Sequence, residues 1–531
     1  MYRITLSIAL VLACATGFAQ KNFKRVQMQM WDQARTLYAA EEYEQAARLY
    51  RQLAPVDTAF SQLSHDLGVC MMNIPGMRDE ASPYLERAVR QGYKEAYLQL
   101  GLLRHQQNRF GEAIALLEQY KGMVNGAIEH QEADRLIEMA QNGRVLLETP
   151  VKVRIKNLGP LVNSTAHDYC PLVTADGTTM YFTSRREGTR GGGKDVNGQF
   201  YEDIYVTRRI GDTWTKAKNA GAVLNTNSHD ATVGLNPDGS SMIIYRSSNG
   251  MASGDLYEAR AEVLQWQKPE LMTEKINSKY HEPSASIAPG GDEIYFSSDR
   301  PGGLGGRDLY RIRRLPNGQW SEPLNLGPKV NTELDEDAPF VHSDGTTLFF
   351  SSQGHNSMGG FDIFKVVLED PDMNGWGDPQ NMGWPLNTVN NDIFFSLSAD
   401  GATGYFSSER EDGLGKQDIY MIEFPDSQLD HVYVLGTVKG SDDKPLKARI
   451  MLTPPDGEEV LGIYNTNGKN GRFMMLMSKH QRGTVTVEAP GYQTREIAIK
   501  GMPDDVASKE MRFDIELEPE GERLTRTEAK P

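Results

Sequence analysis

The stretch Pro289-Gly-Gly-Asp-Glu-Ile-Tyr-Phe-Ser-Ser-Asp-Arg300, continued by Pro301-Gly-Gly-Leu-Gly-Gly-Arg-Asp-Leu-Tyr310, decides how this chain is read. A Gly-Gly-Asp turn leads into a β-branched and aromatic run, a glycine-rich loop interrupts, and a second run opens with Asp-Leu-Tyr. That is the texture of short antiparallel strands. The aromatic-Ser element recurs as Tyr181-Phe182-Thr183-Ser184, Tyr245-Arg246-Ser247-Ser248, Tyr295-Phe296-Ser297-Ser298, Phe349-Phe350-Ser351-Ser352 and Tyr405-Phe406-Ser407-Ser408. In the second copy Arg246 is read as replacing the second aromatic. The Asp-aliphatic-aromatic element recurs at Asp203, Asp255, Asp308, Asp362 and Asp418, in steps of 52, 53, 54 and 56 residues. A period near 50 with four short strands per unit predicts a five-bladed β-propeller over residues 150–425, because each unit leaves both sheet faces apolar until its neighbours cover them.

Working outward, Trp214, Trp266, Trp320 and Trp376 fall in register after the Asp element, each opening an outermost strand, and the fifth blade has none. The region instead begins with an unpaired run, Val151–Ile155, followed by Asn157-Leu-Gly159, which matches Asn325-Leu-Gly327. This run is expected to complete the fifth blade and so remove the free sheet edges.

Residues 20–149 carry a helical repeat: Leu67-Gly68 is set against Leu100-Gly101, and Glu80-Ala81 against Glu112-Ala113. The spacing is close to the roughly 34-residue tetratricopeptide period. Small residues such as Ala46, Ala81 and Ala113 let paired helices approach, and Tyr38, Tyr43, Tyr50, Tyr84 and Tyr97 fill the grooves between them. A further helix near 127–147, with Ile128, Ala133, Leu136, Ile137 and Ala140 on one face, caps the stack. Residues 431–518 alternate and turn like a small β-sandwich, and the charged residues 519–531 read as a disordered tail.

The whole chain has 531 residues, with 56 basic against 72 acidic side chains and a net charge of −16. Such a field disfavours nucleic acid as a partner. Arg3, the apolar run from Ile4 to Ala13 and the small-residue site Gly17-Phe18-Ala19 predict a secretory signal peptide over residues 1–19. A rival cleavage at Val11-Leu-Ala-Cys14 would leave a lipidated Cys14. Beyond it only Cys70 and Cys170 remain, assigned to different domains, which excludes a disulfide framework.

The Pro289–Tyr310 stretch resembles the WD40-like propeller repeat of TolB-type periplasmic proteins. Gly436-Thr-Val438, Gly471-Arg-Phe473 and Gly491-Tyr492 resemble the carboxypeptidase regulatory-like domain. The order of tetratricopeptide repeats, propeller and regulatory-like sandwich is similar to multidomain envelope proteins of the Bacteroidota associated with type IX secretion. The OmpA-like domain that usually ends those proteins has no counterpart after Pro519. The resemblance implies a non-catalytic scaffold in the periplasm, associated with the outer membrane, whose partners are envelope or secretion-system proteins. The alternative is a carbohydrate-active enzyme or glycan-binding protein built on the propeller.

No G-x-S-x-G, H-E-x-x-H or paired C-x-x-C occurs. Gly188-Thr-Arg-Gly-Gly-Gly-Lys194 imitates a phosphate loop, but Asp195 stands where the metal-binding hydroxyl belongs, so it reads as an enlarged loop. Arg185, Arg300 and Arg410 follow the Ser element; they are expected to pair with the Asp of the next strand within a blade, the alternative being a carboxylated ligand. Five residues after Asn163, Asn225, Asn277, Asn331 and Asn387 come Asp168, Asp230, Glu282, Glu336 and Asp392, and His167, His229 and His281 precede the first three. Two readings stay open. The acids cap the turns into their strands, or acids and imidazoles encircle one mouth of the channel and bind a divalent metal. No other cofactor is expected.

Overall fold

The computed structural model describes residues 23–520 apart from 175–176, 237–238, 248–253, 263–264, 372, 399–400, 426–430, 456–461, 467, 469, 479–481 and 501–509. The expected signal peptide, Cys14 and most of the expected tail lie outside the described residues. The chain divides into two units: Met1–Pro150 with Asn356–Gly360 and Thr388–Asn390, and the remainder.

Among its described residues the first unit holds seven α-helices: α1 (Arg25–Ala39), α2 (Tyr43–Leu53), α3 (Ser61–Met72), α4 (Ser82–Arg90), α5 (Lys94–Gln106), α6 (Phe110–Lys121) and α7 (Ala127–Glu148). Consecutive helices pack on one another. The recurrent Leu-Gly has a steric cause. A Cβ on Gly68 would lie 2.6 Å from Leu85 Cγ on α4, and one on Gly101 would lie 2.9 Å from Leu117 Cγ on α6. Ala34, Ala46, Ala81 and Ala113 are fully buried, as is Tyr50, while Tyr38, Tyr43, Tyr84 and Tyr97 are half-buried. Trp31 anchors the core, with ring centroids 5.4 Å from Tyr50 and 4.7 Å from Phe60. α7 buries Ala133, Leu136, Ile137 and Ala140 as expected, but Ile128 is 79% exposed. Among the described residues, no helix is long and apolar enough to cross a membrane.

The second unit contains five successive antiparallel sheets that share one strand order. Their first strands are Asp168–Val173, Asp230–Leu235, Ala285–Ile287, Glu336–Val341 and Asp392–Leu397. The second strands carry the aromatic-Ser element and the third strands open at the recurrent Asp or beside it. Each first strand packs against the first strands of its neighbours, and the fifth packs against the first, so the sheets close into a cycle. The fifth sheet takes its outer strand from the start of the unit: Arg154–Asn157 pairs antiparallel with Asp418–Glu423. The ladder begins three residues later than the apolar run suggests, since Val151 donates its N–H to Trp384 O instead.

Between sheets the core is aromatic. Trp214 packs edge-on to Tyr405, Trp266 to Tyr181 and Trp376 to Tyr295, at 5.9, 5.6 and 6.1 Å, so each indole sits on the first aromatic of the preceding sheet's element. Aromatic pairs of this geometry contribute about 1 kcal/mol each beyond area burial. At the joint entering the fifth sheet, which has no tryptophan in this position, Phe395 meets Phe349 at 4.9 Å.

One register differs from the sequence reading. Arg246 pairs with Asp230 and Asp255, just as Ser184 pairs with Asp168 and Asp203, so Ile243-Ile244 stands where the other sheets place their aromatic pair. Arg246 thus replaces the final serine, not an aromatic. Two further sheets follow. One pairs His431–Gly440 with Arg472–Ser478, Glu510–Arg512 and Ile515–Leu517. The other orders Gly462–Asn465, Arg449–Thr453, Gly483–Glu488 and Arg495–Ile499. Val434, Ile450, Phe473, Val485 and Ile515 make a shared core for them.

Candidate functional site

The five recurrent acids, Asp168, Asp230, Glu282, Glu336 and Asp392, are all buried. In the first four sheets each accepts from the backbone N–H and the hydroxyl of the residue four positions earlier: Ser164, Thr226, Ser278 and Thr332. Ser298, Ser352 and Ser408 add hydroxyl donors to Glu282, Glu336 and Asp392 at 2.7, 2.6 and 2.5 Å. These are turn caps that satisfy buried donors.

A cation completes the arrangement. Arg186, Arg246, Arg300 and Arg410 each bond the acid of their own sheet and a backbone carbonyl of the turn, at Val162, Leu224, Ile276 and Leu386. Arg186, Arg300 and Arg410 also lie over two aromatic rings of their sheet at 4.6–5.4 Å. The expected partner was different: the guanidinium reaches the entry acid and not the Asp of the next strand. In the first sheet, moreover, the residue is Arg186, while Arg185 bonds Asp195 and Phe200 O. In the fourth sheet His355 takes the place, with Nε2 3.0 Å from Val330 O and its ring against Phe350 and Phe364. Glu336 therefore has hydroxyl and amide donors but no guanidinium, and burial pushes its carboxyl up to about 7.

The histidines serve joints between sheets. His229 Nδ1 lies 2.9 Å from Glu202 of the first sheet, which also accepts the Tyr169 hydroxyl at 2.6 Å. Burial alone would raise the Glu202 carboxyl, but His229, Tyr169 and Arg185 hold it below its ordinary value. The same joint between the third and fourth sheets has the charges exchanged: Arg307 pairs with Asp335 at 3.1 Å and Asp337 at 2.7 Å. His281 donates its backbone N–H to Asp299, and its ring meets Tyr245 edge-on at 6.0 Å. His167 is pushed down to about 4 by burial, with Lys416 and Arg185 adding to it. Among the described residues no three His, Cys, Asp or Glu side chains converge to hold a metal ion. The carboxylates of the first four sheets are taken up by donors of their own turns, which is the capping one of the two readings.

Two asparagine positions, quoted in the sequence only as landmarks, are latches. Asn163, Asn225, Asn277, Asn331 and Asn387 each accept the N–H and donate to the C=O of one residue in the preceding sheet: Ile419, Ile204, Leu256, Leu309 and Ile363. Asn157, Asn219, Asn325 and Asn381 bridge from these to the recurrent Asp418, Asp203, Asp308 and Asp362. The signal was their fixed six-residue separation, as in Asn325 and Asn331. The glycine-rich loops press on the next sheet's entry turn: a Cβ on Gly305 would lie 2.4 Å from Leu334 O, and one on Gly415 2.0 Å from Ala166 O. The Gly188–Lys194 loop is likewise committed, since Arg190 N–H bonds Asp203, and Asp195 accepts from Asn197 and Gln199 N–H.

All five first strands line one cavity of about 250 Å³. It reaches Val173, Thr174 and Gly177, at the turn end of the first strand, opposite the end at which Asp168 pairs with Ser184. The entry acids therefore lie at the far end from it and none lines it. Three residues two positions past their acids, Cys170, Ala338 and Phe394, have φ of 52, 51 and 60°, at irregularities in the strand ladders. Each is a bulge that turns the strand within the cavity wall. Cys170 is buried there and its thiol is pushed up to about 12 by burial, which leaves it unreactive.

No family model matches the chain, and no curated protein matches it. Among solved structures, one described as TolB from Agrobacterium tumefaciens is 17% identical, covering 61% of this chain and 96% of its own, with a TM-score of 0.31. The type III secretion chaperone SycD of Yersinia enterocolitica, solved with a peptide of YopD, is 18% identical over 23% of this chain and 98% of its own, with a TM-score of 0.21. A protein described as a glycosidase from Bacteroides thetaiotaomicron is 11% identical over 49% of this chain and 87% of its own, with a TM-score of 0.32. At these values none of them carries an argument about what this chain binds or does.

Proposed function

We propose that this chain is a non-catalytic scaffold of the bacterial envelope, exported to the periplasm, associated with the outer membrane and binding protein components of envelope assembly or type IX secretion. In this reading the helical unit is a tetratricopeptide solenoid, the five sheets are a five-bladed propeller and the last two sheets form a regulatory-like sandwich. One observation carries it. The acids, arginines, asparagines and serines that recur in the sequence are bonded to the turn of their own sheet or to the backbone of the adjacent one. The repeat thus has an architectural use for its polar groups, and repeat surfaces of this kind serve other proteins.

The test is mild crosslinking in intact cells followed by affinity capture of the full chain and fractionation of the envelope. Co-recovery of envelope or secretion components in the outer-membrane fraction is the expected result. A free soluble monomer without crosslinked partners would overturn the reading, and release of sugars from envelope glycans by the purified chain would replace it with the catalytic one.

A further inference from the structure

The cavity on the axis of the five sheets has a chemistry that neither the joints nor the scaffold reading uses. Its walls are mainly apolar, with Leu172, Val233, Phe340, Phe394 and Leu397 among them. Of the described residues that line it, one is charged: Arg209, from the third strand of the first sheet. Its Nε is buried with no hydrogen-bond partner. Its Nη2 stands 3.5 Å from Asp212, whose side chain is wholly exposed, so that pair holds it weakly. By contrast, Arg186, Arg246, Arg300 and Arg410 are each bonded to a buried acid.

Two hydroxyls of the wall have partners of their own. Ser396 Oγ donates to Pro171 O at 3.2 Å, and Ser286 Oγ accepts from Val341 N–H at 3.0 Å. The cavity therefore offers an apolar volume with one guanidinium among its described lining groups, held only by the exposed Asp212. A carboxylate matches the guanidinium fork. A sugar would leave several hydroxyls unpaired against the apolar wall, and a cation would meet Arg209 as a like charge.

We propose that this cavity binds a small monocarboxylate with a compact apolar body, its tail on the axis between the first strands and its carboxylate on Arg209. The site is independent of the scaffold reading, since such a ligand requires neither catalysis nor a protein partner.

The test is calorimetric titration of the full chain with hexanoate, with hexanol as the neutral counterpart, alongside melting curves. Hexanoate is expected to bind and raise the melting temperature, with hexanol at least about tenfold weaker. Arg209→Gln is expected to weaken hexanoate about tenfold and leave hexanol unchanged; its unliganded melting temperature and its retained hexanol binding report that it is folded. Leu397→Trp, at the half-exposed turn end, narrows the cavity and is expected to weaken both ligands. No binding at millimolar concentration, equal affinity for the two ligands, an unchanged Arg209→Gln variant, or carboxylate binding that survives Leu397→Trp would each overturn the proposal.

Discussion

The helical unit and the five-sheet cycle both stack repeated elements, yet they are joined by different chemistry. In the helices the recurrent joints are steric: Gly68 and Gly101 make room for Leu85 and Leu117, and the core around Trp31 is apolar, with a polar joint where buried Arg104 bonds Ser82 and Glu86. In the sheets the joints are polar and buried, with an asparagine clasping one peptide of the preceding sheet and an acid capping each entry turn. The difference follows from the backbone. A helix satisfies its own N–H and C=O groups, so its neighbours need only shape, whereas the turns and loops between short strands leave backbone groups that side chains must meet. A repeated polar residue in a β-repeat is therefore first a candidate for backbone duty.

The largest effect that separates the two units comes from opening the cycle. Deleting residues 151–157 removes the outer strand of the fifth sheet and Asn157, whose Nδ2 bonds Asp418 and whose Oδ1 receives Asn163. The expected outcome is a fall of about 10 °C or more in the melting of the sheet unit and rapid tryptic cleavage within 158–424, with helical circular dichroism retained. Sheet resistance equal to the parent's would show that the strand is dispensable.

Next come single joints, one from each unit. Asn331→Ala leaves the buried N–H of Leu309 without a partner and removes one of two donors from Leu309 O and Asn325 Oδ1, which keep Leu326 and Gly327 N–H, and about 2 kcal/mol of stability is expected to go. Gly68→Ala forces a methyl against Leu85 and is expected to cost about 2 kcal/mol, much of it returned by the double variant with Leu85→Ala. Urea unfolding of each variant measures both. Rescue by a smaller neighbour is specific to the steric joint, since trimming Leu309 cannot repair an orphaned peptide. A contrary pattern would break the distinction.

The period of the sheets, the closing strand, the Leu-Gly steps and the tryptophan positions were legible because backbone geometry and burial impose them on residue types. The partners of the polar residues were less so. Arg185 and Arg186 are adjacent, and only the loop path decides which one reaches the entry acid. The second copy misled because Tyr245-Arg246-Ser247 imitates the aromatic-Ser element two residues out of register. The axial cavity left no mark, since its left-handed residues are Cys170, Ala338 and Phe394 rather than glycine. Arg209 stands beside Arg208 in an ordinary strand. The histidines at 167, 229 and 281 were rightly in register, but their partners lie in neighbouring segments that no local motif connects.

The smallest effect sharpens the comparison within the sheets, between an entry acid with a guanidinium and one without. Glu282 is bonded by Arg300, whereas Glu336 has only hydroxyl and amide donors and is pushed by burial from the ordinary 4.5 up to about 7. A carboxyl raised in the folded state binds its proton more tightly there than in the unfolded chain. Its contribution is thus fully present below about pH 4.5, falls as pH rises through the window to about 7, and is gone above it. Over that window the loss is on the order of 3 kcal/mol. Glu336→Gln fixes the neutral form, so it is expected to flatten this slope and gain about 1 kcal/mol at pH 8, with less effect at pH 5. Glu282→Gln is expected to go the other way at both pH values, since it leaves Arg300 beside Ile276 O without its counter-charge. Melting temperatures of the two variants at pH 5 and pH 8 decide the matter: opposite signs at pH 8 mean that the guanidinium determines which acids stay charged, and a loss of stability in both would mean that the carboxylate is needed at every turn alike.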